Sequence, residues 1–239
     1  MKRLAFFRPF YFLLILSRVK LVRFAANALR SDIVEPGKET YQKLQDCWNE
    51  AFFQADPTTP ITLEIGCGKG AYTVALAERT PTENFLGFDV KGERLHSGAT
   101  QAEALGLRNV GWLRGRAHEL ADHFAPGELA NIWITFPDPR PKLGDAKRRL
   151  TAPRYLALYQ ELLRPGGTIQ FKTDDQNLFT YTLEESLPTL ASAREIRFTR
   201  DLYGPDGAPL LPRTHGIQTH YEQRFRAEGK PICYLEFEV

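Results

Sequence analysis

Residues 61–79 read ITLEIGCGKGAYTVALAER, and this stretch decides the fold class. Ile61 to Ile65 is a short run of apolar and β-branched residues, which predicts a buried strand. The glycines at positions 66, 68 and 70 let the backbone turn sharply into a helix that we predict over residues 71–79. Such a turn leaves the helix N–H groups facing any anionic partner. A buried strand that passes through glycines into a helix is typical of an α/β fold.

Strands and helices alternate along the rest of the chain. The predicted strands are 61–65, 84–90, 109–113, 129–136, 168–172, 196–199 and 232–239, and the predicted helices between them include 93–105, 117–124 and 151–163. This alternation predicts a mostly parallel sheet of seven strands with helices on both faces. We expect the final strand to run antiparallel at the edge of the sheet.

The sequence divides into three segments. Residues 1–17 are interpreted as an apolar and basic N-terminal extension, residues 18–55 as a basic arm with an amphipathic helix over 41–53, and residues 56–239 as the main domain. The apolar run 10–16 is far shorter than the roughly 20 residues that span a bilayer, so no membrane span is predicted. Alternatives for the extension are a signal peptide, a peripheral anchor, a disordered tail or an upstream start codon. Residues 18–30 form either an arm that folds on a polyanion or a surface helix.

Composition excludes several classes of protein. The chain has 239 residues, is 43% hydrophobic and 25% charged, and carries a net charge of only +2, so affinity for nucleic acid must come from clustered cations. Its three cysteines lie far apart, and its five histidines show no metal-like spacing. We therefore predict no disulfide framework, no metal site and a reducing, cytoplasmic setting.

Acidic residues follow the ends of several predicted strands, where ligands bind in parallel sheets. Glu64 precedes the glycine turn, Asp89 ends the second strand, and Asp138 and Asp174 follow the fourth and fifth. The G-x-G-x-G spacing with an acid before it favours S-adenosylmethionine over NAD, since the carboxylate can face the cationic amino-acid end of that ligand. The acid at position 89 suits the ribose hydroxyls of an adenosine.

Asp138 lies between two prolines that hold the backbone in a stiff turn. A basic strip follows, and it contains a single acid, Asp145; its cations are Arg140, Lys142, Lys147, Arg148, Arg149 and Arg154. A carboxylate on a rigid turn beside such a strip predicts chemistry on a polyanion. The alternative is a solvated surface loop.

Four motifs in this order, LEIGCGKG, FPDPRPKLGDAKRRL, KTDD and THYEQRF, resemble the bacterial tRNA (guanine-N7-)-methyltransferases. The resemblance implies a Rossmann-like class I methyltransferase with an antiparallel final strand. It also implies a cytoplasmic enzyme that methylates N7 of a guanine in the variable loop of tRNA. Its oligomeric state, monomer or homodimer, stays open. Two alternatives stay open, an RNA-binding relative with impaired catalysis and a methyltransferase with another substrate.

The resemblance also assigns residues to roles. It assigns catalysis to Asp138 and contact with S-adenosylmethionine to Glu64, Gly66, Gly68, Gly70, Asp89 and Asp138. It assigns the tRNA substrate to Lys142, Asp174, Thr219, His220, Tyr221 and Glu222. The chain departs from the family at Arg140, where Trp is usual, and at Arg116, where an acid or amide is common. Adenine recognition then rests on backbone amides, on His118 or on Glu119.

Overall fold

The computed structural model describes residues 21–239, so the predicted extension 1–17 and the start of the basic arm lie outside the described residues. Within this range eight strands form one sheet in the order β1-β4-β3-β2-β5-β6-β8-β7. The strands are β1 (Ile33–Val34), β2 (Ile61–Ile65), β3 (Asn84–Asp89), β4 (Val110–Arg114), β5 (Leu129–Thr135), β6 (Leu163–Thr173), β7 (Arg194–Thr199) and β8 (Cys233–Glu238). Only β8 runs against the others in this sheet of the described residues. The predicted mostly parallel sheet with an antiparallel final strand is confirmed.

Helices cover both faces of the sheet. They are α1 (21–29), α2 (Ala71–Arg79), α3 (Gly92–Ala104), α4 (Pro153–Leu162), α5 (Gln176–Tyr181) and α6 (His220–Ala227). One core contains residues of α4 and α5 together with Trp48 and Phe124, and the other contains residues of α2 and α3 around Trp112 and Trp133. Between residues 21 and 239, no helix combines the length and the apolar character needed to cross a membrane.

Two features of the sheet differ from the sequence-based prediction. The eighth strand is β1, whose two residues pair with Trp112 and Leu113 of β4, and a run this short leaves no alternation pattern to detect. The final strand, β8, lies between β6 and β7 and not at the edge as predicted. Its first five residues are all buried, because both of its faces are covered, whereas the edge strand β7 is mostly exposed.

The amphipathic helix predicted over residues 41–53 is wrong for its first half. Only Trp48–Phe53 is helical, and the preceding residues form turns in which Gln42 and Asp46 have φ angles of 56° and 63°. Left-handed residues interrupt a right-handed helix. Leu44 and Trp48 still enter the core, where the Trp48 indole donates to the His123 carbonyl at 2.8 Å. The predicted boundary between residues 55 and 56 stays a prediction.

Candidate active site

A cavity of about 600 Å³ opens at the carboxyl ends of β2, β5 and β6. We call one part of its lining the glycine wall, which consists of Glu64, Gly66, Cys67, Gly68, Lys69, Ala71 and Tyr72. We call another part the aspartate wall, which consists of Phe136, Pro137, Asp138, Asp174, Thr219, His220, Tyr221 and Phe225. Residues that the sequence assigns to the cofactor and residues that it assigns to the substrate therefore share one cavity. Of the predicted site residues, the lining does not include Gly70, Asp89, Lys142 and Glu222, all within the described range.

The glycine turn is fixed to the end of β3. The amides of Gly66 and Cys67 donate to the Phe88 carbonyl at 2.8 and 3.1 Å. All three glycines have positive φ, 77° at Gly66, 58° at Gly68 and 75° at Gly70. A Cβ atom on Gly70 would lie only 2.2 Å from the Trp112 ring. The turn thus needs glycine at this position for its φ angle and for the space.

Glu64 is almost fully buried, at 2% exposed. Its carboxylate accepts hydrogen bonds from the Thr73 amide at 2.9 Å, from the Thr73 hydroxyl, and from the Thr135 hydroxyl at 2.5 Å. Burial raises the pKa of Glu64 to about 7, and the threonine donors partly oppose this rise. Glu64 therefore connects β2 with α2 and β5 while it also lines the cavity.

Asp89 is bonded to the glycine turn. Its carboxylate accepts from the Gly68 amide at 3.0 Å and from the Lys91 amide at 2.8 Å, and the residue is 7% exposed. These bonds hold the turn against the end of β3. The prediction that Asp89 contacts a ribose stays a prediction, since the carboxylate lies beside the turn but outside the cavity lining.

Asp138 projects from a turn whose backbone is constrained at both ends. Phe136, at the end of β5, has a φ of 47°, and its amide donates to the Lys172 carbonyl of β6 at 2.8 Å. The Asp138 side chain is 70% exposed, and one of its oxygens accepts from the Arg140 amide at 3.1 Å. The Arg140 guanidinium lies 3.9 Å from the other oxygen, so the arginine that replaces the usual tryptophan faces the predicted catalytic carboxylate.

Helix α6 brings an aromatic surface to the aspartate wall. Thr219 caps the helix by accepting from the Glu222 amide at 3.2 Å, and Tyr221 is 57% exposed. The Tyr221 and Phe225 rings are stacked at 6.5 Å, and Phe225 lies 5.9 Å from Phe136. Sequence reasoning missed Phe225 and Phe136. Tyr221 and Phe225 are four residues apart, which places both rings on one face of a helix. This spacing is a sequence signal that identifies Phe225.

The two remaining carboxylates predicted to contact the substrate lie in different environments. Asp174 lines the cavity, and one of its oxygens lies 3.6 Å from the Lys230 ammonium. Glu222 is fully buried, and its carboxylate binds the Lys172 ammonium at 2.8 Å and the Tyr203 hydroxyl at 2.7 Å. The structure therefore brings Asp174 together with Asp138 in the lining and places Glu222 on the buried face of α6. Lys172 was not singled out from the sequence, although a lysine inside a strand pattern is a usable signal.

The basic strip is only partly free to bind another molecule. Lys142, Lys147 and Arg148 are exposed, and Arg148 pairs with Asp145 at 3.1 Å. Arg149 instead packs over the Tyr181 ring at 4.2 Å and donates to the Arg140 carbonyl. The strip thus presents its lysines to solvent, while Arg149 fixes the loop that carries them.

The candidate adenine residues lie in the short helical turn after β4. Arg116 and His118 are exposed, and Glu119 accepts from the Arg116 amide at 2.9 Å. Among residues 21–239 there is no group of three or more histidine, cysteine, aspartate or glutamate side chains that would hold a metal ion.

Comparison with known sequences gives a consistent family. The family model described as "Putative methyltransferase" matches residues 58–235. The chain is 40% identical over 223 residues to a tRNA (guanine-N(7)-)-methyltransferase of Cytophaga hutchinsonii, covering 93% of this chain and 98% of that protein. It is 43% identical over 194 residues to a protein of the same name from Porphyromonas gingivalis, covering 81% of this chain and 76% of that protein.

Solved structures agree on the fold. An antibiotic-related methyltransferase superposes with a TM-score of 0.53 at 15% identity, and the 16S rRNA methyltransferase KamB with a TM-score of 0.50 at 15% identity. Each match covers 75% of this chain and 87% of the other. The sheet is thus that of a class I methyltransferase, as predicted. With the sequence matches over most of its length, the chain belongs to the tRNA (guanine-N(7)-)-methyltransferase family.

Proposed function

We propose that this protein transfers a methyl group from S-adenosylmethionine to N7 of a guanine in tRNA and forms 7-methylguanosine. The observation that carries the proposal is the shared cavity, in which the glycine wall meets the aspartate wall. The names of the relatives, which align with this chain over most of its length, agree with the proposed substrate. We further propose that the guanine lies in the variable loop and that the enzyme acts in the cytoplasm.

The glycine wall fits S-adenosylmethionine. A Cβ atom on Gly68 would meet no heavy atom within 4 Å, so the turn leaves open space beside its backbone. The Glu64 carboxylate suits the ammonium group of the ligand, and Lys69 and Arg94 in the lining suit its carboxylate. Asp89 holds the turn from behind through the Gly68 amide and lies near the proposed adenosine end. When bound, the cofactor supplies an electrophilic methyl group on a sulfonium centre.

Asp138 is the proposed catalytic residue. Guanine N7 carries an in-plane lone pair and no proton, so the chain need not supply a general base. The purine gains positive charge during methyl transfer, and a preorganised carboxylate stabilises charge where it develops. The exposed Asp138 carboxylate can accept from N1–H and the exocyclic amine of guanine, with Asp174 as a second acceptor. These contacts also orient N7, and orientation supplies up to about 7–11 kcal/mol in favourable cases.

The remaining lining and the basic strip bind the substrate in this proposal. The exposed Tyr221 ring offers a face on which a nucleobase stacks, and stacking of this kind contributes about 1–3 kcal/mol per base. Lys142, Lys147 and Arg148 contact phosphates outside the cavity. Lys142 thus acts on the RNA backbone next to the modified nucleotide.

The direct test is methyl transfer from labelled S-adenosylmethionine to bulk tRNA from a strain that lacks N7 methylation. Digestion to nucleosides should yield labelled 7-methylguanosine, and tRNA that already carries the modification should accept much less label. A different labelled nucleoside would contradict the assignment of guanine N7 as the methylated atom. No label in a protein that still binds tRNA would favour the RNA-binding alternative.

A further inference from the structure

Lys172 and Glu222 form a fully buried ion pair beneath the aspartate wall. Both side chains have 0% exposure, and the ammonium lies 2.8 Å from the carboxylate. The ammonium also donates to the Ile217 carbonyl at 3.2 Å and lies 5.4 Å from the centre of the Tyr72 ring. Lys172 stands two residues before Asp174 at the end of β6, so the pair joins the end of that strand to α6.

The hydrogen-bonding capacity of Glu222 is used within the protein. The Lys172 ammonium lies 2.8 Å from each carboxylate oxygen, and one of these oxygens also accepts from the Tyr203 hydroxyl at 2.7 Å. Tyr203 is in turn covered by the Arg226 guanidinium at 3.6 Å from its ring centre. Glu222 has no exposure and does not line the cavity, so a guanine in the cavity could reach its carboxylate only if α6 moved and disturbed the buried pair, which is strongly unfavourable.

Helix α6 is held mainly by one fully buried residue and by the half-buried Phe225, which packs against the core around Trp112 and Trp133. Of its eight residues, all within the described range, Glu222 alone is buried. An isolated helix of this length is not stable in water, so its position depends on tertiary contacts. Its first turn and its N-cap carry the three lining residues Thr219, His220 and Tyr221. A shift of α6 would therefore move this part of the aspartate wall as a unit.

We propose that Lys172 and Glu222 are positioning residues that fix α6 against the end of β6, so that Thr219, His220 and Tyr221 face the guanine, and that Glu222 does not contact the substrate. This inference rests on the proposed function for its effect on turnover. A buried ion pair is often no more stabilising than an apolar pair of similar size, but its geometry is specific. The pair thus serves to place the helix and not to add stability.

The test compares Glu222→Gln with the double variant Lys172→Met/Glu222→Gln. The single variant leaves the lysine charge buried without its counter-charge, and we expect kcat at saturating tRNA to fall about 100-fold, as for a displaced positioning group. The double variant replaces the charged pair by an uncharged pair of similar size, which can pack between β6 and α6 and leaves no buried charge unpaired, so kcat should recover to within about fivefold of the native value. Glu228→Gln is the matched control, because it removes an exposed carboxylate from the end of the same helix and should leave kcat within about twofold.

A second readout separates this inference from the proposed function. Hydrogen exchange of residues 217–227 should accelerate in Glu222→Gln and return towards the native rate in the double variant, whether or not tRNA is methylated. Absence of 7-methylguanosine with the native protein would count against the proposed function alone. A double variant as inactive as Glu222→Gln, with native exchange in 217–227, would show that the carboxylate itself is needed and would overturn the positioning role.

Discussion

The glycine wall and the aspartate wall differ in how their carboxylates are satisfied. Glu64 is 2% exposed and is bonded to Thr73 and Thr135, whereas the Asp138 side chain is 70% exposed and its nearest cation, Arg140, lies 3.9 Å away. A wall whose polar groups are already bonded keeps its shape before a ligand arrives. We infer that the fold itself builds the cofactor half of the site, while the substrate half is completed by the substrate.

The largest expected effect comes from the glycine turn that carries the glycine wall. Gly70→Ala should lower the free energy of unfolding by about 4 kcal/mol, because its Cβ would meet the Trp112 ring and its φ would be strained. Gly68→Ala has a similar φ but open space, so it should cost only about 1 kcal/mol. Urea unfolding of both variants measures the difference. Equal losses would mean that φ strain and not the Trp112 contact sets the cost.

The pH dependence of stability tests the burial of Glu64. Its pKa is raised from 4.5 to about 7 on folding, so the native state holds this proton more tightly than the unfolded state. The stabilisation by the neutral carboxyl is complete below about pH 4.5 and is lost as the pH rises through about 7, a change of about 3 kcal/mol. Unfolding of the native protein and Glu64→Gln should diverge in this window. A difference independent of pH would contradict the buried titration.

Substitutions of Tyr221 test whether its ring stacks on a nucleobase of the substrate. Tyr221→Leu should lower kcat/KM for tRNA by a factor that corresponds to about 2 kcal/mol, since the stacking surface is lost. Tyr221→Phe keeps the ring and should stay within about 0.5 kcal/mol of the native value. Because the side chain is 57% exposed, neither change should alter unfolding much. Two variants with the same defect would assign the effect to the hydroxyl.

The smallest effect is expected outside the cavity. Lys147→Gln should weaken tRNA binding by about 1 kcal/mol and reduce the salt slope by about one. Lys43→Gln is the control, because Lys43 is an exposed lysine outside the basic strip. It lies near Cys47, at the amino ends of β2 and β5, whereas the proposed active site lies at their carboxyl ends. Binding titrations at several salt concentrations check both variants. An equal change for both lysines would remove the special role of the basic strip.

Eight of the twelve site residues predicted from the sequence line the cavity. Glu64, Gly68, Asp138 and Asp174 lie at or just after strand ends, and parallel strands bring such ends to one edge of a sheet. The alternation of predicted strands and helices shows where each strand ends, so these positions can be identified from local sequence patterns. The predicted α/β class followed for the same reason.

The sequence did not predict which carboxylates are already bonded within the protein. Glu222 pairs with Lys172, a residue 50 positions away, and no local pattern records a contact of that range. The failure of the helix prediction at 41–47 has a related cause. Leu44 and Trp48 are four residues apart, as on a helix, and both enter the core, but turns with left-handed residues bring them there. Long-range packing decided both outcomes.

The central claim is that the exposed carboxylate of Asp138 acts on the guanine. The most direct measurement is single-turnover methyl transfer by Asp138→Asn at saturating S-adenosylmethionine and tRNA, with Asp145→Asn as the control from the neighbouring strip. The rate of Asp138→Asn should fall by about 10²–10³, as on loss of one preorganised electrostatic group, while the control should stay near the native rate. A rate for Asp138→Asn within about threefold of the native value would show that the charge of Asp138 is not needed for methyl transfer.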